Sequence, residues 1–200
     1  MKIKKLLKRL FFPLSRGIEG VFLLGGLEGG FTSCATDTTF TKYPCYLVLD
    51  NSVHQDATLA SAMNMMSPGV FCTIYDNEAK QQYQFTNNYG ASSVSTFNGI
   101  DKRRTRALGM NNALIVGFGA LTGEFYAYDR ECPVCFDPQA VPVRSKPLTI
   151  GSDGQATCPV CKRHFDMNNG GNCTSEGGVS GLRRYRGGTT GPFGVLSVGN

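Results

Sequence analysis

Four cysteines in two Cys-Pro-Val-Cys knuckles, Cys132 with Cys135 and Cys158 with Cys161, are the residues of this 200-residue chain best suited to chemistry. Each proline fixes its own backbone angle within a tight turn, so both sulfurs of a knuckle can face inward while loop amides approach them. The 22 residues between Cys135 and Cys158 let the knuckles meet. Four thiolates around one point are the donor set of a tetrahedral metal site. Lys162, Arg163 and His164 follow the second knuckle directly. They could stand behind the sulfurs and offset the negative charge by which four thiolates exceed a divalent ion. They also read as a solvated loop, with His164 an exposed histidine at the start of a strand.

Zinc is the favoured occupant, because a two-knuckle tetrahedron suits its bonds of about 2.3 Å and fastens a loop-rich region without redox chemistry. One iron ion in the same cage could carry an electron to a protein redox partner, and a [2Fe-2S] cluster on four cysteines is a further option. Without metal, the same thiols could close two disulfides or act as a dithiol oxidoreductase. Such motifs usually begin a helix beside a βαβ unit, and the pattern shows neither. His54 and His164 are the only histidines. No Ser-His-Asp set or phosphate-cradling glycine loop is evident, so little serves acid–base catalysis and the chain reads as non-enzymatic. His54 is most simply a loop residue. Cys45, Cys72 and Cys173 are left over, the first two on expected strands as buried small hydrophobes or a disulfide.

The elements that must position the knuckles read as short strands. The chain has no tryptophan, 25 glycines and 41% apolar residues. Tyr43 to Asp50 reads as a first strand. Asp56 caps a helix over Ala57 to Met66, with Leu59, Met63 and Met66 on one face. Val70 to Tyr75 and Gln82 to Thr86 follow as strands, then a polar loop from Asn87 to Asn98. Ala113 to Phe118 and Glu124 to Tyr128 form a hairpin that delivers the chain to the first knuckle. Short segments near Val141, Leu148, Gln155, Phe165, Leu182 and Val195 complete a mostly antiparallel system.

The amino terminus reads as an export leader. Lys2, Lys4, Lys5, Lys8 and Arg9 precede apolar patches, although Arg16, Glu19 and Glu28 interrupt them. Phe31-Thr32-Ser33-Cys34 resembles a bacterial lipobox, which would make Cys34 the acylated first residue of a membrane-anchored protein facing the periplasm or cell exterior. A poorly ordered basic amphipathic tail is the other reading. Residues 1–33 carry +4 of the net charge of +5, so the remainder is near neutral. That balance argues against nucleic acid as a partner. The one dense basic run, Lys102 to Arg106, reads as a solvated loop or a dock for phosphate, an acidic partner or a headgroup. The division expected is a leader over 1–33, a linker over 34–42, and one β domain over 43–200 with its metal-binding lobe at about 129–172.

Phe125-Tyr126-Ala127-Tyr128-Asp129 leading into Cys132, and Ala156 to Asp166 around the second knuckle, resemble the two cluster-binding loops of Rieske iron-sulfur domains. Gly170-Gly171, Leu182 to Tyr185 and Phe193 to Val198 are similar to the closing strands of that family. The resemblance covers residues 108–200 and implies an antiparallel β-sandwich with a small cluster-binding lobe. The ligand set departs from the family, which uses two cysteines and two histidines. Cys161 stands at the second histidine position, Val134 at the first, and Lys162 replaces a glycine. The ligands instead resemble those of a rubredoxin or a zinc ribbon. A zinc-ribbon module binding protein or nucleic acid is therefore the alternative to an exported structural or electron-transfer domain.

Overall fold

A computed structural model of the chain describes residues 40–177 and 180–200. The leader, the lipobox and Cys34 lie outside the described residues. Among the described residues thirteen strands run in chain order: β1 Cys45–Asp50, β2 Phe71–Asn77, β3 Gln82–Asn87, β4 Ser92–Thr96, β5 Ala107–Leu108, β6 Ala113–Phe118, β7 Phe125–Asp129, β8 Thr149–Ile150, β9 Gln155–Thr157, β10 His164–Asp166, β11 Asn172–Cys173, β12 Arg184–Thr189 and β13 Val195–Gly199. Nine of them form one sheet in the order β4-β3-β2-β6-β7-β12-β13-β1-β5, and the other four form a second in the order β11-β10-β9-β8. Every strand pairing is antiparallel, as expected for a mainly β chain. β12 joins two parts of the large sheet, since Arg184 and Tyr185 pair with β7 while Arg186 to Thr189 pair with β13.

The alternation of side chains along a strand explains how two cores share one sheet. From β6, Leu114 and Val116 point into a core that also holds Leu47 and Leu49 of β1, Ile74 of β2, Phe85 of β3 and Leu196 of β13. Ile115, between them, points to the opposite face. There it joins Phe71, Tyr126 and Tyr128 under the small sheet, whose Ala156 and Phe165 complete a second core with Leu148, Met167 and Leu182. A strand covered on both faces needs an unbroken apolar run, and Ala-Leu-Ile-Val supplies it.

Two helices, not one, follow β1: α1 Asn51–His54 and α2 Ala57–Ala62. Asp56 caps α2 by accepting the Leu59 amide at 2.9 Å. Because α2 stops at Ala62, Leu59 and Met63 are buried whereas Met66 is 86% exposed, so the expected three-residue face ends one turn early. The stretch expected as a polar loop holds β4, an edge strand paired with β3 from Gln82–Thr96 to Thr86–Ser92. Its Ser-Ser-Val-Ser-Thr sequence has no buried face to reveal it. Val141 is 97% exposed and belongs to no strand, and the segment at Leu182 precedes β12 without pairing into it. Within the expected linker, Phe40 bridges Arg184 and the Thr41 amide donates to the Arg184 carbonyl at 2.8 Å. The basic run divides as well. Lys102, Arg103 and Arg104 are exposed, while Arg106 stacks 4.2 Å over Phe97 and pairs with Asp76 at 2.9 Å.

Candidate metal centre

The first knuckle is held by two buried carboxylates at the end of β7. Asp129 is fully buried and accepts hydrogen bonds from the Met110 amide at 2.8 Å, the Glu131 amide at 2.8 Å and the Tyr185 hydroxyl at 2.7 Å. Burial pushes its carboxyl above the usual carboxylate range, against the pull of those donors. Gly109, at φ +68, passes so close that a Cβ there would strike the Asp129 carboxylate and the Tyr185 hydroxyl. Glu131, 3% exposed, accepts from the Asn111 side chain at 2.9 Å, the Ser145 hydroxyl at 2.6 Å and the Lys146 amide. The Lys146 carbonyl in turn accepts the Cys132 amide at 3.0 Å. Glu131 thus ties the far side of the intervening loop to the start of the knuckle.

Both knuckles close in the same way. The Phe136 amide donates to the Cys132 carbonyl and the Lys162 amide to the Cys158 carbonyl, each at 3.0 Å. The Cys158 amide donates to the Arg163 carbonyl at 2.9 Å. Lys162 sits at φ +60, the left-handed region where glycine is ordinarily favoured. The second knuckle therefore requires a glycine-like backbone at a position occupied by lysine.

These turns bring all four sulfurs within 4.8 Å of one another. Two separations that cross between the knuckles are 3.8 Å each, Cys132 to Cys161 and Cys135 to Cys158. A tetrahedral ion with metal–sulfur bonds of about 2.3 Å requires sulfur–sulfur edges of about 3.8 Å. A two-iron cluster would push the thiolates of one iron away from those of the other by the intervening metal–metal distance. The observed cluster is therefore sized for one metal ion. Cys132 and Cys158 are fully buried, and Cys135 and Cys161 are partly exposed.

The local fields differ from sulfur to sulfur. Burial pushes the Cys132 thiol up, against hydrogen bonds from the Val134 and Cys135 amides, and burial also raises Cys135. Burial acts the same way on Cys161, but the Arg163 amide, the neighbouring thiols and the Arg163 side chain outweigh it and bring this thiol down to about 6. The Cys161 amide lies 3.5 Å from the Cys158 sulfur.

Of the residues expected behind the sulfurs, Arg163 reaches Cys161, whereas Lys162 is exposed. His164 contributes no ligand to the cluster. Its Nδ1 pairs with the Thr157 hydroxyl at 3.0 Å across the β9–β10 ladder. Arg183, which sequence reasoning did not single out, donates from Nη2 to the Pro133 carbonyl at 3.4 Å. Among the described residues Cys45, Cys72 and Cys173 are free thiols, with Cys45 and Cys72 fully buried in the core, as the small-hydrophobe reading of these two has it.

A Ser-His-Asp set, absent from the sequence reading, does form in the fold. His54 lies in α1, not in a loop, with Nδ1 2.7 Å from the Ser95 hydroxyl and Nε2 3.1 Å from the Asp101 carboxylate. Its side chain is 2% exposed, stands 5.7 Å edge-on from the Tyr83 ring, and also meets the Asn98 amide at 3.3 Å. So enclosed a ring cannot reach a substrate. The set pins α1 to β4 and to the turn at Asp101.

No family model matches this chain, and neither does any curated protein or solved structure.

Proposed function

We propose that this chain is a non-catalytic metal-binding domain holding one zinc ion on Cys132, Cys135, Cys158 and Cys161, where the ion fastens the cysteine-bearing lobe. The observation that carries this reading is the sulfur cluster itself, all members within 4.8 Å and two pairs between the knuckles at 3.8 Å. The lobe's strands are only two or three residues long and supply few ladder bonds of their own, which suits a structural ion. The sulfurs of both knuckles gather around one point, whereas a Cys-x-x-Cys oxidoreductase uses the two sulfurs of a single knuckle, so ligation is favoured over dithiol chemistry. Arg163 and Arg183 beside the knuckles offset the charge of four thiolates.

One iron ion in the same cage, passing an electron to a protein partner, is the second reading. The partial exposure of Cys135 and Cys161 favours it. The proposal extends to a Rieske-like domain whose histidine positions have become cysteines, exported and anchored to a bacterial envelope membrane through Cys34. The likeness of the residues around both knuckles supports the first part, and the basic leader with its lipobox-like Phe31 to Cys34 supports the second.

Metal analysis of purified protein together with its visible spectrum tests the reading. One equivalent of zinc in colourless protein is the expected result. Iron–thiolate absorption that bleaches on reduction would replace zinc with the electron-transfer role. Cys158→Ser should release the metal; unchanged metal content in that variant would refute the ligand assignment.

A further inference from the structure

We propose that a second binding site, between the segment leading into β1 and the start of β12, takes a small phosphorylated molecule. A cleft of about 630 Å³ lies there, lined by Lys42, Arg183 and Arg184 and by no carboxylate. Among the described residues none of the three cations has an ion-pair partner. Among the described residues the ion pairs are those of His54 with Asp101 and of Arg106 with Asp76 and Glu78. Ring faces hold the guanidinium groups instead: Arg183 lies 4.9 Å over Tyr43, and Arg184 4.8 Å over Tyr126 and 5.5 Å over Phe40. Stacking fixes the plane of a guanidinium and leaves its N–H edges available to an anion. Arg183 Nε is buried without an acceptor, a donor that is costly until something accepts from it.

Three cations with no ion pair among the described residues line one cleft in a chain whose residues beyond 33 are almost neutral, which marks the cleft as a local exception. A phosphate monoester carries a charge of about −1.5 to −2 and three acceptor oxygens, which match paired guanidinium forks and an ammonium. The cleft is several times larger than a bare phosphate, so the ligand carries an organic part. Thr41 and Asn172 in the wall offer a hydroxyl and an amide to its hydroxyl groups.

Calorimetric titration of the full-length chain with glycerol 3-phosphate, and with glycerol as the neutral control, tests the site. Binding of the phosphate ester alone is expected, weakened about tenfold or more in Arg184→Gln and further in Lys42→Gln/Arg184→Gln, as for lost hydrogen bonds to charged groups. Unchanged metal content in both variants would separate this site from the cysteine centre. A parallel arm uses vesicles of phosphatidylglycerol and of phosphatidylcholine. Association with the anionic vesicles alone, lost in the double variant while glycerol 3-phosphate stays unbound, would assign the phosphate to a lipid headgroup. The proposal is overturned if neither glycerol 3-phosphate nor anionic vesicles bind, if the double variant binds within twofold of the parent, or if the neutral probes bind equally well.

Discussion

Replacing Glu131 with glutamine should loosen the metal centre without touching a ligand. The carboxylate accepts three hydrogen bonds while 3% exposed, from the Asn111 side chain, the Ser145 hydroxyl and the Lys146 amide. A glutamine can keep its oxygen toward Asn111 and Ser145, but its NH₂ then meets the Lys146 N–H, donor against donor. One bond to a charged acceptor is lost, worth about 1.5–3 kcal/mol, and the two that remain become neutral and weaker. The sum is about 2–4 kcal/mol of stability. The Lys146 carbonyl holds the Cys132 amide at 3.0 Å, so the same substitution reaches the first knuckle through one peptide unit. Metal affinity should fall about 10- to 100-fold, as for other residues that orient ligands without touching the ion. Urea unfolding reads the stability, and competition with a chromophoric chelator reads the affinity. Ser145→Ala and Asn111→Ala, each removing one donor, should cost less than Glu131→Gln in both assays. A Glu131→Gln protein with affinity within twofold of the parent would refute the argument that this carboxylate positions Cys132.

Tyr185→Phe removes a donor from buried Asp129, whose carboxyl burial already raises; such a group favours the fold below its unfolded pKa and loses that contribution as pH rises through the folded value. Its penalty should therefore be small near pH 4 and grow toward neutrality, to about 2 kcal/mol, when urea unfolding is compared at the two pH values; equal penalties would contradict a bond to the ionised carboxylate. Lys162→Gly relieves a left-handed backbone and should raise stability by up to about 1 kcal/mol in thermal or urea unfolding, with metal content unchanged. The Cys45 and Cys72 thiols are fully buried, and burial pushes Cys45 up to about 12 and Cys72 higher still. Neither should react with a thiol reagent at pH 8 until the protein unfolds; labelling of either in the folded state would count against the packing described.

The parts legible in the sequence were those encoded over a few neighbouring residues. Cys-Pro-Val-Cys specifies a turn locally, and Ala113 to Phe118 is apolar enough that its strand bounds follow from composition alone. Features built from distant residues, or from backbone pairing without burial, were not legible. α1 spans four residues, too few to display a helical period, and β4 exposes most of its side chains. Ser95, His54 and Asp101 meet only because β4 folds back beside α1, and nothing in their spacing of 41 and 6 residues announces it. The roles of Glu131 and Asp129 depend on Tyr185, Asn111 and Ser145, which the fold delivers from other segments. Lys162 stands out in the sequence as a charge behind the sulfurs and as a residue in place of a glycine, and its φ supplies the physical reason why the second matters.

The sharing of β6 between two cores has a consequence for synthesis. The strands β2, β3, β6 and β7 all precede the knuckles in the chain, so a growing polypeptide completes that platform first, with Phe71, Ile115, Tyr126 and Tyr128 on an uncovered face. Their cover arrives only with residues up to Leu182, after both pairs of cysteines have been made. If an ion draws the knuckles together, as proposed, that aromatic surface is open to other unfinished chains until it binds. Metal scarcity during expression should therefore appear first as aggregation of new protein, before any loss from molecules already folded.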